Sequence, residues 1–166
     1  MIESVVIGLG GNIGSEAEII ERFGHAREAL ALLGDLRSAP LYRSAPLGPV
    51  QPAFLNTAVR VRIADLQPAE LIATVLEIEA LLGRDRDRET RGGPRPLDLD
   101  VLVWGARTIR TPALEIPHPR LTERRFALVP LVDLLGPDVE IPGAGPIAPL
   151  LERVRDQQLE RISETW

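Results

Sequence analysis

The sequence predicts an α+β fold: a ferredoxin-like β-α-β-β-α-β core, with a mainly antiparallel sheet and helices packed on one face, followed by a C-terminal extension. Two amphipathic helical patterns alternate in that order with runs that are typical of strands. The residues after the fourth strand are too few for a second independent core. We therefore expect a single domain over residues 1–166.

The first strand and the first helix have clear boundaries. A β-branched run from Ser4 to Gly10 ends in glycines, which favours a strand. Ser15 is followed three residues later by Glu18, the capping-box pattern that begins a helix. Apolar residues then recur at helical spacing as far as Leu30, and we expect the helix to end by Gly34.

The remaining core elements are predicted in the same way. Residues 36–43 form the second strand, although Pro40 interrupts it, and the alternating run 54–63 forms the third. Pro68 is suited to the first turn of the second helix. The run 92–104 supplies the fourth strand.

The composition excludes several classes of protein. Apolar residues make up 45% of the chain, as in globular proteins, and no apolar run approaches the roughly 20 residues that a membrane helix needs. Cysteine is absent, which excludes disulfides, thiolate zinc sites and cysteine nucleophiles. The N-terminus lacks the pattern of a secretion signal. We expect a cytoplasmic protein with no membrane partner.

The charged residues argue against nucleic acid as a partner, because the formal net charge is −5. All 19 basic side chains are arginines, which the codon usage of a GC-rich genome explains simply. The absence of lysine still excludes a P-loop lysine and a Schiff-base lysine. Every permanent side-chain cation is thus a guanidinium, which binds phosphate oxygens through a planar fork.

Two aspartates, Asp98 and Asp100, are the strongest candidates for a catalytic site. Side chains alternate along a strand, so both carboxylates lie on one face, with Cα atoms about 6–7 Å apart. The other face is expected to bury Leu97, Leu99, Val101 and Val103. The carboxylates repel each other unless a cation lies between them, and their oxygens suit Mg²⁺. From the spacing alone, two ordinary surface acids are an equally good interpretation.

The loop before this strand favours phosphate chemistry. Among its glycines and polar residues are five arginines: Arg84, Arg86, Arg88, Arg91 and Arg95. Arginines beside a metal-binding carboxylate pair can neutralise charge on a transferring polyphosphate. The alternative is a solvated loop whose acids partly cancel the arginines. That alternative fits Arg88 and Arg91 better than Arg95, which lies directly after Gly93-Pro94.

Two further segments are weaker candidates. The run 8–14 follows a strand and precedes a helix, but Ile13 stands where a dinucleotide fingerprint needs glycine, so we interpret the run as a tight turn. The stiff proline loop before Phe54 suits a flat heteroaromatic ligand that stacks on this ring and meets the Asn56 amide. Taken alone, a core Phe54 and an Asn56 that bonds backbone are the simpler interpretation.

In combination these motifs resemble 6-hydroxymethyl-7,8-dihydropterin pyrophosphokinase of folate biosynthesis. The resemblance rests on four segments in order: GLGGNIG, YRSAPLGPVQPAFLN, GRDRDRETRGGPRPLDLDVLVWG and IPHPRLTERRFALVPL. It implies a ferredoxin-like fold and transfer of the terminal pyrophosphoryl group of ATP to the pterin hydroxymethyl group, with release of AMP. It also implies two Mg²⁺ ions as cofactors, with ATP and the pterin as small-molecule partners. We expect a monomer.

The resemblance implies roles for residues at matching positions. Asp98 and Asp100 would bind the two Mg²⁺ ions, and Arg84 and Arg95 would be catalytic contacts of the phosphates. The nucleotide would be bound by Leu76, Glu79, Arg84, Arg86, Arg95, Val101, His118 and Arg124. Of these, Glu79 and Leu76 would lie near the adenine or ribose. The pterin would be bound by Ser44, Pro46, Leu47, Gly48, Phe54, Asn56 and Phe126, with the two phenylalanine rings on either side of it.

The chain departs from the family pattern in its loops. Gly11 stands in place of the usual serine, which we expect to loosen that turn. Gly92 stands in place of a frequent tryptophan, and Leu76 in place of a frequent glutamine. The arginine-rich loop is about one residue longer than in some relatives. This difference and Gly92 concern loop closure rather than the chemistry, whereas Leu76 implies the loss of one adenine contact.

Two rival classes of function are compatible with parts of the sequence. A metal-dependent phosphodiesterase or nuclease could use the same aspartate pair. A non-catalytic ferredoxin-like module that binds RNA would need exposed aromatic residues and a basic face. The aromatic content of 4% and the negative net charge make this second class the weaker one.

Overall fold

The computed structural model describes residues 1–166 and contains the predicted core. The core elements are β1 (Ile2–Gly11), α1 (Glu16–Ala31), β2 (Asp35–Ser38), β3 (Leu41–Ser44), β4 (Phe54–Ala64), α2 (Pro68–Leu81) and β5 (Asp98–Trp104). The extension contains β6 (Ile109–Arg110), β7 (Glu115–Ile116), a 3₁₀ turn (Leu121–Glu123), α3 (Arg125–Leu135), β8 (Glu140–Ile141), β9 (Gly145–Pro146), α4 (Ile147–Arg153) and β10 (Leu159–Ser163).

The central sheet is antiparallel throughout and has the strand order β10-β3-β4-β1-β5, with β2 also paired to β4. The predicted α+β, ferredoxin-like arrangement is thus confirmed. Strand β1 pairs with β4 on one side and with β5 on the other. This order sets the glycine-rich end of β1 beside the aspartates of β5.

The predicted start of α1 is also confirmed. The backbone N–H of Glu18 donates to the Ser15 hydroxyl at 3.2 Å, and the backbone N–H of Ser15 donates to the Glu18 carboxylate at 2.6 Å. These two bonds satisfy donors that the first helical turn leaves free. Helices α1 and α2 pack on one sheet face over a continuous apolar core that includes Phe23 and Leu71.

The opposite sheet face is not left open, contrary to the expectation of helices on one face only. Helices α3 and α4 of the extension cover it, and Leu128 and Leu150 pack with Ala58 and Leu102 of the sheet. The chain therefore buries both faces of the sheet. The sequence pattern of the first four strands predicts one buried face, whereas the second face is buried by residues much later in the chain.

The predicted second strand, residues 36–43, is two strands. The strand is divided at Ala39 and Pro40, since proline has no N–H to donate to a ladder. The Thr57 hydroxyl donates to the carbonyl oxygens of both residues, at 3.1 and 2.9 Å. The Trp166 indole also donates to Ala39, at 2.8 Å.

The fourth core strand is shorter than predicted and contains an irregularity. It begins at Asp98 rather than at residue 92, and Val6 and Ile7 of β1 pair with Val103 and Val101. Leu102 is therefore an extra residue, a β-bulge that reverses the alternation after it. Val103 accordingly packs in the α3/α4 core and not, as expected, on the α1/α2 face.

None of the helices combines the length with the apolar character that a membrane crossing requires.

Candidate active site

The floor of a pocket is formed by the sheet face that α3 and α4 leave uncovered at one end. Asp98 and Asp100 lie on this face directly opposite Gly10 and Gly8 of β1. Both glycines line the pocket, so no side chain of β1 covers the carboxylates. The run 8–11 is therefore part of a strand and not, as we expected, a turn, and its alternate glycines leave room above the sheet.

Both carboxylate oxygens of Asp98 are held by guanidinium groups. Arg84 donates to Oδ1 at 2.7 Å, and Arg95 donates to Oδ2 at 3.2 Å. The Asp98 side chain is 24% exposed, whereas that of Arg84 is 5% exposed. The carboxylate thus faces the pocket while one of its two cations lies beneath it.

Asp100 faces a different pair of cationic groups. Its Oδ1 lies 3.5 Å from Nε2 of His118, and its Oδ2 lies 3.8 Å from Nη1 of Arg124. The backbone N–H of Arg120 donates to Nδ1 of His118 at 3.1 Å, so the imidazole proton is on Nε2 and points to Asp100. The His118 backbone is fixed by a bond to the Leu102 carbonyl at 2.9 Å.

The two carboxyls have different proton affinities. Burial raises the pKa of Asp98, the neighbouring charge of Asp100 raises it further, and the arginines offset only part of this. Burial also acts to raise the pKa of Asp100, but the hydrogen bond from His118 and the charges of Arg124 and Arg84 outweigh it, so this pKa lies below its ordinary value. A cation placed between the two carboxylates would lower both pKa values.

Glu79 is buried beneath the pocket rather than in its wall. Its carboxylate accepts a close hydrogen bond from Arg84, a bond from Arg86 at 2.7 Å and one from the Leu99 backbone N–H at 2.8 Å. Glu89 also accepts from Nε of Arg84, at 3.0 Å. These contacts fix Arg84 against the start of β5.

The wall opposite the aspartates is formed by residues predicted to bind a flat ring. Phe54 and Phe126 are half-buried and both line the pocket. The Asn56 amide donates to the Ser44 hydroxyl at 2.5 Å, so it bonds a side chain and not backbone. The simpler interpretation of a core phenylalanine and a backbone-bonded asparagine is therefore wrong.

The pocket brings together most of the predicted site residues and leaves six of them outside its lining. Those that line it are Pro46, Leu47, Gly48, Phe54, Asn56, Arg95, Asp98, Asp100, His118, Arg124 and Phe126. Those outside it are Ser44, Leu76, Glu79, Arg84, Arg86 and Val101.

The six residues outside the lining differ in what they can do. Ser44 and Arg84 contact lining residues directly, as described above. The side chain of Val101 packs in the α1/α2 core, on the face away from the aspartates, so only its backbone is available to a ligand. Leu76 lies on α2 and is 44% exposed. The expectation that Glu79 contacts the adenine or ribose does not fit its burial among arginines, because it is 1% exposed.

Several lining residues were not predicted, among them Gln51, Thr57, Leu102 and Arg120. Gln51 lies in the proline-rich loop before Phe54, which the sequence analysis proposed as part of a ligand site. Its polar amide side chain in that loop could have identified it as a candidate. Leu102 lies on the same strand face as Asp98 and Asp100, so the alternation of side chains is the signal that could have found it.

The loop departures have a structural explanation at Gly11. A Cβ at this position would lie 2.5 Å from the Pro96 carbonyl oxygen, so only glycine allows the end of β1 to approach the start of β5 so closely. The expectation of a loosened turn is therefore wrong.

Gly92 has a φ of +71°, which favours glycine, and a Cβ there would lie 3.6 Å from Cδ of Pro49 in the proline loop. Arg88 and Arg91 are exposed, in agreement with the solvated-loop alternative.

Comparisons with known proteins agree with this geometry. Residues 6–136 match the family model described as 7,8-dihydro-6-hydroxymethylpterin-pyrophosphokinase. A 2-amino-4-hydroxy-6-hydroxymethyldihydropteridine pyrophosphokinase of Pseudomonas aeruginosa is 37% identical, over 98% of this chain and 98% of its own length. The protein of the same name from Synechocystis is 40% identical, over 90% of this chain and 75% of its own length.

Other matches are parts of longer proteins. The chain is 44% identical to a folate synthesis bifunctional protein of Arabidopsis thaliana, with 81% of this chain covered but only 27% of that protein. A crystal structure of Plasmodium falciparum HPPK-DHPS superimposes with a TM-score of 0.71 over 92% of this chain and 45% of that one. At 15% identity, this similarity shows the fold alone.

Proposed function

The chain belongs to the 7,8-dihydro-6-hydroxymethylpterin-pyrophosphokinase family, and we propose that it transfers pyrophosphate from ATP to the hydroxymethyl group of 6-hydroxymethyl-7,8-dihydropterin, with Asp98 and Asp100 at the centre of the reaction. The reaction releases AMP and is a step of folate biosynthesis. The observation that supports these roles is the pair of carboxylates on an open sheet face between arginines and a ring-binding wall.

The donor set of the site fits magnesium. Asp98 and Asp100 supply hard carboxylate oxygens from one face of β5. Mg²⁺ typically takes one or two protein carboxylates and completes its octahedron with water and phosphate oxygens. When bound, two such ions would neutralise charge on the ATP phosphates. Arg95 lines the pocket and now holds one Asp98 oxygen, so ion binding would free its guanidinium group for phosphate. Arg84 lies beneath the carboxylate and would keep its bonds to Glu79 and Glu89.

The arginines and His118 bind and orient the nucleotide. Arg95, Arg124 and Arg120 lie around the pocket, and each can donate to phosphate oxygens. The Nε2–H of His118 points toward Asp100, 3.5 Å away, and a phosphate oxygen bound beside Asp100 would lie within its reach. Preorganised donors of this kind stabilise charge that develops on a transferring group and on the leaving AMP.

The pterin occupies the opposite wall. Phe54 and Phe126 stack on its two faces, and the Asn56 amide, held by Ser44, hydrogen-bonds its donor–acceptor edge. This arrangement points the hydroxymethyl group toward the aspartates, where its oxygen attacks the β-phosphorus in line. Asp98 and Asp100 would serve as ion ligands, and His118 has Nε2–H directed at Asp100 and Nδ1 bonded to the Arg120 backbone N–H, so the hydroxyl proton passes to water or phosphate.

The reaction is tested by incubating the protein with Mg²⁺, ATP and the pterin and measuring AMP. AMP is expected only when the pterin is present; a phosphodiesterase or nuclease would not need it. Asp98→Asn keeps the size of the side chain and removes its charge, and we expect turnover to fall by about 10³-fold or more. Asp138→Asn, at an exposed position without an ion pair, is the matched control. A folded Asp98→Asn protein with near-normal turnover would exclude this mechanism.

We further propose that residues 1–166 act as one monomeric domain in the cytoplasm, where ATP is available. Strand β10 joins the central sheet beside β3, and α3 and α4 share an apolar core with that sheet. The extension therefore supports the core instead of folding beside it.

A further inference from the structure

Three loops meet at the mouth of the pocket. They are the turn after β1, the loop 45–53 between β3 and β4 (the proline loop), and the loop 82–97 between α2 and β5 (the arginine loop). The proline loop carries Pro46, Leu47 and Gly48 of the proposed pterin wall, and the arginine loop carries Arg84 and Arg95. Two amide side chains, those of Asn12 and Gln51, join all three loops, and neither has a role in the mechanism above.

Asn12 fixes the base of the arginine loop. Its backbone N–H donates to the Arg95 carbonyl at 3.0 Å, and its Oδ1 accepts from the Arg95 backbone N–H at 3.0 Å. Its Nδ2 donates to the Pro52 carbonyl at 3.0 Å. Asn12 is 3% exposed, so these bonds are sheltered from water and rigid.

Gln51 extends this connection to the outer part of the arginine loop. Its Oε1 accepts from Nδ2 of Asn12 at 3.0 Å, and its Nε2 donates to the Gly92 carbonyl at 2.7 Å. Its Nε2 also lies 3.2 Å from the Pro49 carbonyl. The carbonyl end of the Gln51 amide thus bonds the turn after β1, and its NH2 end bonds the arginine loop.

We propose that Gln51 and Asn12 are positioning residues that couple the arginine loop to the pterin wall. A nucleotide that orders the arginine loop fixes Gly92, and the Gln51 amide transmits this order to the proline loop, which carries Leu47 and leads into Phe54. The proposal rests on the proposed function, because it takes the pterin and ATP as the two ligands. It assigns no contact with a reacting atom to either residue.

The chemistry of the coupling needs an amide. Glutamine alone among side chains of this length donates and accepts at the same time; glutamate only accepts, and methionine does neither well. Gln51→Met therefore removes both bonds with little change in size. Gln51→Glu keeps the acceptor for Asn12 and loses the donor to Gly92.

The test is calorimetric titration of the full chain with the pterin, with and without Mg²⁺ and a non-hydrolysable ATP analogue. The ratio of the two pterin Kd values measures the coupling. For Gln51→Met we expect this ratio to fall about tenfold, since each lost hydrogen bond contributes about 0.5–1.5 kcal/mol. For Gln51→Glu, which loses one of the two bonds, the logarithm of the ratio should fall by about half as much. Gln158→Met, at an exposed position without a side-chain hydrogen bond, should keep the wild-type ratio.

Two results would overturn the proposal. One is a wild-type ratio in the Gln51→Met protein, or no coupling in the wild type itself. The other is an equal loss of pterin affinity with and without the analogue, which would mean that Gln51 acts only on the pterin wall. Failure of the proposed function gives a different result, namely no pterin-dependent AMP from the wild type.

Discussion

Tyr42 connects β3 to α3 through a hydrogen bond, and the contribution of this bond to stability can be measured by removing the Tyr42 hydroxyl. The residue lies on β3, close to Ser44, and its hydroxyl donates a close hydrogen bond to Asp133 of α3, the helix that carries Phe126. Arg161 of β10 lies 3.3 Å from the same hydroxyl. Burial and the bond to Asp133 raise the pKa of Tyr42 from 10.0 to about 12.

This raised pKa makes stability depend on pH in a defined window. Below pH 10 the phenol is neutral in both states, so its full contribution to the free energy of unfolding is present. As the pH rises from 10 toward 12, the unfolded chain loses this proton and the folded chain keeps it, so stability falls. A shift of about 2 units corresponds to a loss of about 2 kcal/mol by about pH 11.5.

The loss of stability between pH 10 and 12 can be assigned to Tyr42, because the chain has one tyrosine, no lysine and no cysteine. No other side chain has an ordinary pKa between about 8 and 12. Urea unfolding, followed by tryptophan fluorescence at a series of pH values, should show the loss in the wild type and a flat profile in Tyr42→Phe. At neutral pH the variant should be about 1 kcal/mol less stable. Equal slopes for the two proteins above pH 10 would refute the reasoning.

Two further predictions concern the frame of the site. Gly11→Ala places a methyl group against a backbone carbonyl of the arginine loop and should destabilise the fold by about 1–3 kcal/mol in urea unfolding. Gly24→Ala, a helical position with nothing within 4 Å, should be neutral or up to about 1 kcal/mol stabilising; similar losses in both would contradict the contact. Arg84→Met should lower turnover and also reduce the free energy of unfolding by about 2 kcal/mol, because it leaves the buried Glu79 with fewer partners. Arg95→Met should lower turnover with a smaller loss of stability. Equal unfolding midpoints for the two arginine variants would show that Glu79 is not the reason.

Local patterns explain why the sheet face that carries both aspartates was predictable. The alternation of side chains places Asp98 and Asp100 together whatever lies around them, and the capping box at Ser15 acts within one helical turn. Both depend on residues close together in the chain. The order of the core elements along the chain was likewise predicted from local patterns, whereas the wall expected to bind the pterin was predicted mainly from the resemblance to the family.

The features that the sequence did not predict depend on contacts between segments that are distant in the chain. The bulge at Leu102, the packing of α3 and α4 on the second sheet face and the strand β10 each follow from how separate elements pair, which no local pattern encodes. The same holds for Glu79, whose position on the buried side of α2 is visible in the helical period but whose arginine partners are not.

The sequence by itself determined that two carboxylates share a strand face and that every permanent cation near them is an arginine, because strand alternation and residue identity are local properties. Only the tertiary structure decided which cation meets which carboxylate: Arg84 and Arg95 at Asp98, His118 and Arg124 at Asp100. Those pairings join residues as many as 24 positions apart in sequence, as for Asp100 and Arg124. They depend on register and packing, which the chain acquires only when it folds.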